Sequence, residues 1–274
     1  MNIVSQYNYL DRYLTQIRAQ GRYAFTLEEL KTEFNLPYRT IKQTLYRLKS
    51  KKEIAQIRQG FYVIIPPEYS KQGILPPYLF MDDLMKSLNK SYYVGLLSAA
   101  ALHGAAHQQP MEYFVIVKSP APRSVHNDKL TINFFAKREI PQEGIIQRKT
   151  PAGYMNVSSP ELTALDLFDT NKFGINQITT VLQELAEEMK PANLLKTAKQ
   201  YANTAAIQRL GYVLDLLQED KLANSLQKIL DGRTFFPVSL SSQKGKKGEI
   251  DGRWKIIKNM EIESDYLFSA QNAL

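Results

Sequence analysis

Residues 26–64 read TLEELKTEFNLPYRTIKQTLYRLKSKKEIAQIRQGFYVI, and the order of signals along them decides the expected fold. Thr26-Leu-Glu-Glu29 is a capping box, in which the Thr26 hydroxyl and the Glu29 carboxylate reciprocally satisfy exposed N–H groups at a helix start. It opens a short helix, Leu27–Phe34, with Leu30 and Phe34 facing inward. Asn35-Leu36 forms a tight turn, and Pro37 suits the first position of the helix that follows. That helix runs from Pro37 to about Lys51 and turns Ile41, Leu45 and Leu48 toward a core at i, i+4, i+7. Two strand-like runs, Ile54–Arg58 and Phe61–Ile65, are joined across Gln59-Gly60, a hairpin signal. Toward the N-terminus, Ser5–Gln20 places Tyr9, Leu10, Tyr13, Leu14 and Ile17 on one helical stripe, and Gly21 ends it.

Helix, short helix, tight turn, basic helix, hairpin is the order of a winged helix-turn-helix. In helix-turn-helix geometry the helix after the turn enters the major groove and uses its N-terminal half on base edges. Tyr38, Arg39, Thr40, Lys42, Gln43 and Arg47 lie opposite the apolar stripe of that helix. Arg39, Thr40 and Gln43 suit the donor–acceptor code of the groove. Lys42, Arg47, Lys49, Lys51 and Lys52 suit phosphates, which supply affinity without sequence information. Arg58, at the wing, is placed to reach a minor groove or a backbone phosphate. Charge agrees: residues 1–65 hold eleven Lys/Arg against five Asp/Glu, a net +6 of the chain's +8. Such asymmetry points to a polyanion, and double-stranded DNA is the expected partner.

Pro66-Pro67 and Pro76-Pro77 bracket a polar stretch that reads as a linker. The expected domains are therefore a winged helix over 1–66, a linker over 67–76 and a larger domain over 77–274. In the larger part, Phe80–Leu88 reads as a short amphipathic helix. Tyr92–Leu102, rich in small residues, reads as a tightly packed helix. Strand candidates are Met111–Val117, Leu130–Phe135, Ile145–Arg148 and Tyr154–Val157. Ser159-Pro160 opens a helix to Phe168. Residues 175–230 read as helical pieces broken at Pro191, near Asn203-Thr204 and near Asp220. Phe235–Leu240 and Trp254–Glu263 return to strand character around a Gly/Lys/Ser-rich loop, Ser241–Gly252. The fold class is α+β, a winged helix-turn-helix followed by a larger mixed α/β domain with a helical C-terminal part.

The chain of 274 residues has no cysteine, which removes disulfide frameworks and thiolate metal sites. No apolar run approaches the ~18 residues of a membrane span, and the N-terminus lacks the order of a signal peptide. No membrane association and a cytoplasmic location are expected. Among motifs of catalysis there is no phosphate-cradling Gly-rich loop and no Gly-x-Ser-x-Gly elbow. His103 and His107 stand at i, i+4 but Gly104 interrupts them, so a packed helix end is the expected reading rather than a metal site. Asp82-Asp83 and Asp166/Asp169 read as helix-terminal charges and solvated faces. Glu249-x-Asp251 with Lys255 has only a faint likeness to a nuclease carboxylate–lysine set, without a strand-borne Asp before it. Lys244, Lys246 and Lys247 make a basic loop that suits DNA, an acidic partner or plain solvent equally. No enzyme, no cofactor and no metal are expected.

Three passages resemble the AbiEi family, antitoxins of type IV toxin–antitoxin (abortive infection) systems. They are the winged-helix passage 26–64, YYVGLLSAAALHGAAHQQPMEYFVIV at 92–117, and WKIIKNMEIESD at 254–265. Together they place the likeness along most of the chain, from about residue 5 to 267. The resemblance implies a winged helix that binds repeats in its own operon's promoter. It also implies a larger domain that opposes a nucleotidyltransferase-like toxin without a stable complex, and no cofactor or active site. The chain is unlike the toxin itself, because it lacks the Gly-Ser…Asp-x-Asp pattern of nucleotidyltransferases. An alternative from the residues alone is a ligand-responsive winged-helix regulator without a toxin partner. A DNA-processing nuclease tethered by its winged helix is a third.

Overall fold

The structure, a computed structural model, describes residues 9–105 and 112–263. It opens with α1 (Tyr9–Ala19), β1 (Ala24–Thr26), α2 (Leu27–Glu33), α3 (Tyr38–Ser50), β2 (Ile54–Arg58) and β3 (Phe61–Ile64). The winged helix-turn-helix expected from the sequence is therefore present. Its three-stranded sheet runs β1-β3-β2, with Phe25 opposite Tyr62 and Ala55 opposite Val63, both pairings antiparallel. The capping box forms: the Glu29 amide donates to Thr26 Oγ1 at 3.0 Å, and the Thr26 amide to Glu29 Oε2 at 2.7 Å. Strand β1 is invisible in the sequence, since three residues carry no periodicity and acquire meaning only by pairing with β3. Leu10, Phe25, Leu30, Ile41 and Leu48 are each fully buried in one core, and burying such a side chain stabilises by about 1.5–3 kcal/mol.

Farther along come single 3-10 turns at Pro67–Tyr69 and Pro77–Leu79, then α4 (Met81–Ser87). The stretch expected as one helix over Tyr92–Leu102 is instead β4 (Tyr92–Val94) followed by α5 (Leu96–Leu102). Gly95 between them is extended and Leu96 has φ +54°, so no continuous helix can pass through. The two tyrosines and the valine are β-formers, and Val94 pairs in parallel with Val157. His107 and Met111 lie outside the described residues. Four expected strands follow as β5 (Glu112–Lys118), β7 (Leu130–Lys137), β8 (Ile145–Thr150) and β9 (Gly153–Ser158), with β6 (Val125–Asn127) added. The helices are α6 (Pro160–Asp169), α7 (Ile175–Glu188), α8 (Pro191–Gln200), α9 (Thr204–Leu216) and α10 (Asp220–Leu230), broken where the sequence breaks them.

The expected strand Phe235–Leu240 shrinks to β10 (Val238–Ser239), and Trp254–Glu263 to β11 (Ile256–Ile257). Pro237 has no N–H to donate on one side, and Lys255 at φ +52° bends the chain on the other. The two short strands pair in parallel, Val238 opposite Ile256.

The chain divides into two compact units, Met1–Tyr92 with Met111–Arg138 and Gln147–Asn156, and Tyr93–Pro110 with Glu139–Ile146 and Val157–Leu274. Besides the winged helix, the first holds α4 and a strand group in which β5 lies parallel to β7 and β6 antiparallel to it. The second is mainly helical around α6, whose residues Glu161–Phe168 are all buried. A helix buried all round must satisfy its own polar groups. Glu161 does so by accepting from the Lys190 amide at 3.0 Å, and Thr163 shares a hydrogen bond of 2.6 Å with Ser158.

Candidate nucleic-acid interface

Helix α3 reads YRTIKQTLYRLKS and carries four basic residues and no acid. Its buried face is Ile41, Thr44, Leu45 and Leu48, which leaves Tyr38, Arg39, Thr40, Lys42 and Gln43 exposed on the other side. Pro37 caps the helix from just outside it, one position earlier than the sequence suggests, and no side chain caps the first turn. The free N–H groups and the dipole there favour an anion. Arg39, Lys42 and Gln43 line one surface depression together with Tyr46.

The other basic residues differ in how far they are already engaged. Arg47 reaches back to Asp11 on α1 at 3.4 Å, so part of its charge ties the two helices together. Lys49 donates to Gln56 Oε1 at 3.1 Å, and Lys51 stands 3.8 Å from Glu53, an exposed contact of little energy. Lys52, exposed and at φ +59°, occupies the turn into β2. The wing turn is Gln59-Gly60, with Gly60 at φ +77°, a conformation that glycine adopts without a steric cost. Arg58 is half-buried beside it, and its Nη1 is buried without a hydrogen-bond partner. It lines a second depression with Lys31, Tyr38, Arg22, Asp82 and Asp83. The Lys31 ammonium lies 5.4 Å from the centre of the Tyr38 ring. Burial pushes the Asp83 carboxyl above its ordinary range, although Arg22 and Lys86 pull it down.

Elsewhere His103, Asp166, Asp169, Asp251 and Lys255 are engaged in structural contacts. His103 Nε2 donates to the Ser158 carbonyl at 2.7 Å. Asp166, expected on a solvated face, is buried, because α6 is covered on every side. It accepts from the hydroxyls of Tyr93 and Tyr201, each at 2.8 Å. Tyr201 also meets Asp169 at 2.8 Å, and Asn203 donates to Asp169 as well. Burial, reinforced by these carboxylates, drives both tyrosines far above their ordinary titration range, so they act as neutral donors. Lys255 donates to the Phe235 carbonyl at 3.1 Å and Asp251 accepts from the Trp254 amide at 2.7 Å, so these two members of that faint set help to hold the C-terminal strands. Among the described residues no group of three His, Cys, Asp or Glu is placed to hold a metal ion. No helix among them is long and apolar enough to cross a membrane.

Tyr46 is absent from the residues singled out in the sequence, although its spacing was the available signal: it lies three and four positions beyond Gln43 and Lys42. It is 74% exposed.

Comparison with known proteins gives matches over both parts of the chain. A family model described as a transcriptional regulator, AbiEi antitoxin, matches residues 12–65, and the model of the AbiEi antitoxin C-terminal domain matches residues 93–216. No curated protein matches the chain. The crystal structure of the RV2827C protein from Mycobacterium tuberculosis superposes with a TM-score of 0.66 at 16% identity. The match covers 98% of this chain and 95% of that one, and at such identity it speaks for the fold alone.

Proposed function

This chain belongs to the AbiEi antitoxin family, and from that premise we propose that it represses its own operon through the winged helix and counteracts a nucleotidyltransferase-like toxin through its C-terminal domain. A DNA-binding antitoxin is what the two family matches support. The observation that carries the regulatory half is α3 itself: an acid-free basic helix, preceded by a tight turn, with its outer face exposed and its inner face locked into a core.

Docked in the major groove, Arg39, Thr40 and Gln43 read base edges from the first turns of α3. Lys42, Lys49, Lys51 and Lys52 hold phosphates, and Arg47 contributes what its pairing with Asp11 leaves. Tyr38 and Arg58 flank the helix start and the wing. The target is double-stranded DNA of the protein's own promoter, with repeats as the expected arrangement. The toxin is opposed without a stable complex, and the C-terminal domain supplies that function without a cofactor or catalytic residues. A membrane takes no part and the setting is cytoplasmic.

A gel-shift titration tests this, with the upstream region of the gene as probe, random duplex as competitor, and two salt concentrations. A salt-sensitive preference for the upstream region is expected. Replacing Arg39 and Gln43 by alanine should flatten that preference. Replacing Lys51 and Lys52 should weaken both duplexes alike and lower the slope of log affinity against log salt by about one per lost phosphate contact. Equal binding to random DNA would refute autoregulation, and unchanged binding after both replacements would refute the docking face.

A further inference from the structure

We infer that Tyr46 is a further DNA-contacting residue, which packs its ring on a deoxyribose and donates its hydroxyl to a backbone phosphate at the far wall of the major groove. The inference rests on the reading that α3 docks in that groove.

Three observations lead to it. At 74% exposure Tyr46 presents more of its surface than any other large apolar side chain among the described residues. It shares one helical face with Arg39, Lys42 and Gln43, which stand seven, four and three positions before it and line the same depression. Among the described residues its hydroxyl has no hydrogen-bond partner, so none of them accounts for a tyrosine here. An exposed aromatic on a polar face favours a contact in which the ring is covered and the hydroxyl stays paired.

Helix geometry selects the backbone over the bases. With a rise of about 1.5 Å per residue, Tyr46 lies about 10 Å along the axis from Arg39. The major groove is about 12 Å wide. If the first turn of α3 sits deepest, a side chain about 10 Å farther along the axis stands beyond the groove's depth of about 8.5 Å, beside the sugar–phosphate wall and not a base edge. Tyrosine is among the side chains that reach phosphate oxygens, and such contacts fix register without reading sequence. Being neutral, it releases no counterion, which separates its signature from that of a lysine.

The test uses the full chain with Y46A, Y46F and K42A variants. Binding to a random-sequence duplex and to the upstream region is measured by fluorescence anisotropy across a salt series. Y46A should weaken both duplexes by a common factor of about five to ten, the worth of one hydrogen bond plus a ring contact. Y46F should lose part of that factor. Neither should alter the salt slope, whereas K42A should lower it by about one. Unchanged affinity of Y46A for both duplexes would overturn the inference. So would a loss confined to the upstream region, or one that disappears when thymines are replaced by uracils, because either marks a base reader. Failure of the docking reading is distinct: it would appear as no effect of replacing Arg39 and Gln43 on discrimination.

Discussion

Gly211, in the middle of α9, faces the ring of Trp254 so closely that a β-carbon there would meet Cζ3 at 2.1 Å, Cη2 at 2.3 Å and Cε3 at 2.4 Å. Ordinary carbon contacts lie at about 3.5–4.0 Å, so Gly211→Ala forces the helix and ring more than an ångström apart. The ring has little freedom to yield. It is fully buried, its Nε1 donates to Asp215, and the Arg253 guanidinium lies 4.9 Å from its centre. Its backbone is held too, because Gln208 donates to the Trp254 carbonyl at 2.8 Å. At an open helix position the same substitution would stabilise by about 1 kcal/mol. Overpacking of a rigid site costs about 1–3 kcal/mol. The clash is against three ring atoms and not a flexible chain end, so the upper part of that range applies, and a net loss of about 2 kcal/mol is expected. Urea denaturation followed by far-ultraviolet circular dichroism measures it, and Trp254, the sole tryptophan of the chain, reports local disturbance by fluorescence. In a W254L background the clash is absent, so adding G211A there should be neutral or slightly stabilising. This double-mutant coupling isolates the contact from any general effect on α9. A G211A protein as stable as the parent, or equal losses in both backgrounds, would refute the packing account.

Two further outcomes follow from the winged-helix unit. Thr26→Ala removes the N-cap of α2 and should cost about 1 kcal/mol in urea denaturation, while Thr26→Ser should retain most of it; equal stability of the alanine variant would show that Glu29, held at 2.8 Å by Arg22, suffices alone. Asp83 titrates above its ordinary range because burial outweighs its cationic neighbours. The folded state therefore binds that proton more tightly than the unfolded chain, and stability falls as pH rises from about 4 through the raised folded value. Asp83→Asn should raise Tm at pH 7, with the gain shrinking as pH is lowered toward 4, and a constant gain across that range would refute the assignment.

The elements legible along the chain are set by near neighbours. The capping box at Thr26 and Glu29, the Pro37 helix start, the apolar stripe Ile41–Leu45–Leu48 and the breaks at Pro191, Asn203 and Asp220 are local, since caps, turns and helical periodicity act within a few residues. The basic outer face of α3 follows from the same periodicity, which is why the candidate DNA-contacting residues could be named in advance. Features that depend on distant partners emerge only when the chain packs. Strand β1 exists because β3 lies beside it, and Tyr92–Val94 is a strand because Val157 offers a ladder that outweighs the helical company of the alanines that follow. The burial of Asp166 between Tyr93 and Tyr201 came from the packing of α6, and the pairing of Arg47 with Asp11 from the docking of α1 on α3. Neither could be read from spacing, because the partners stand 73, 35 and 36 positions away and their approach is fixed only when the cores close.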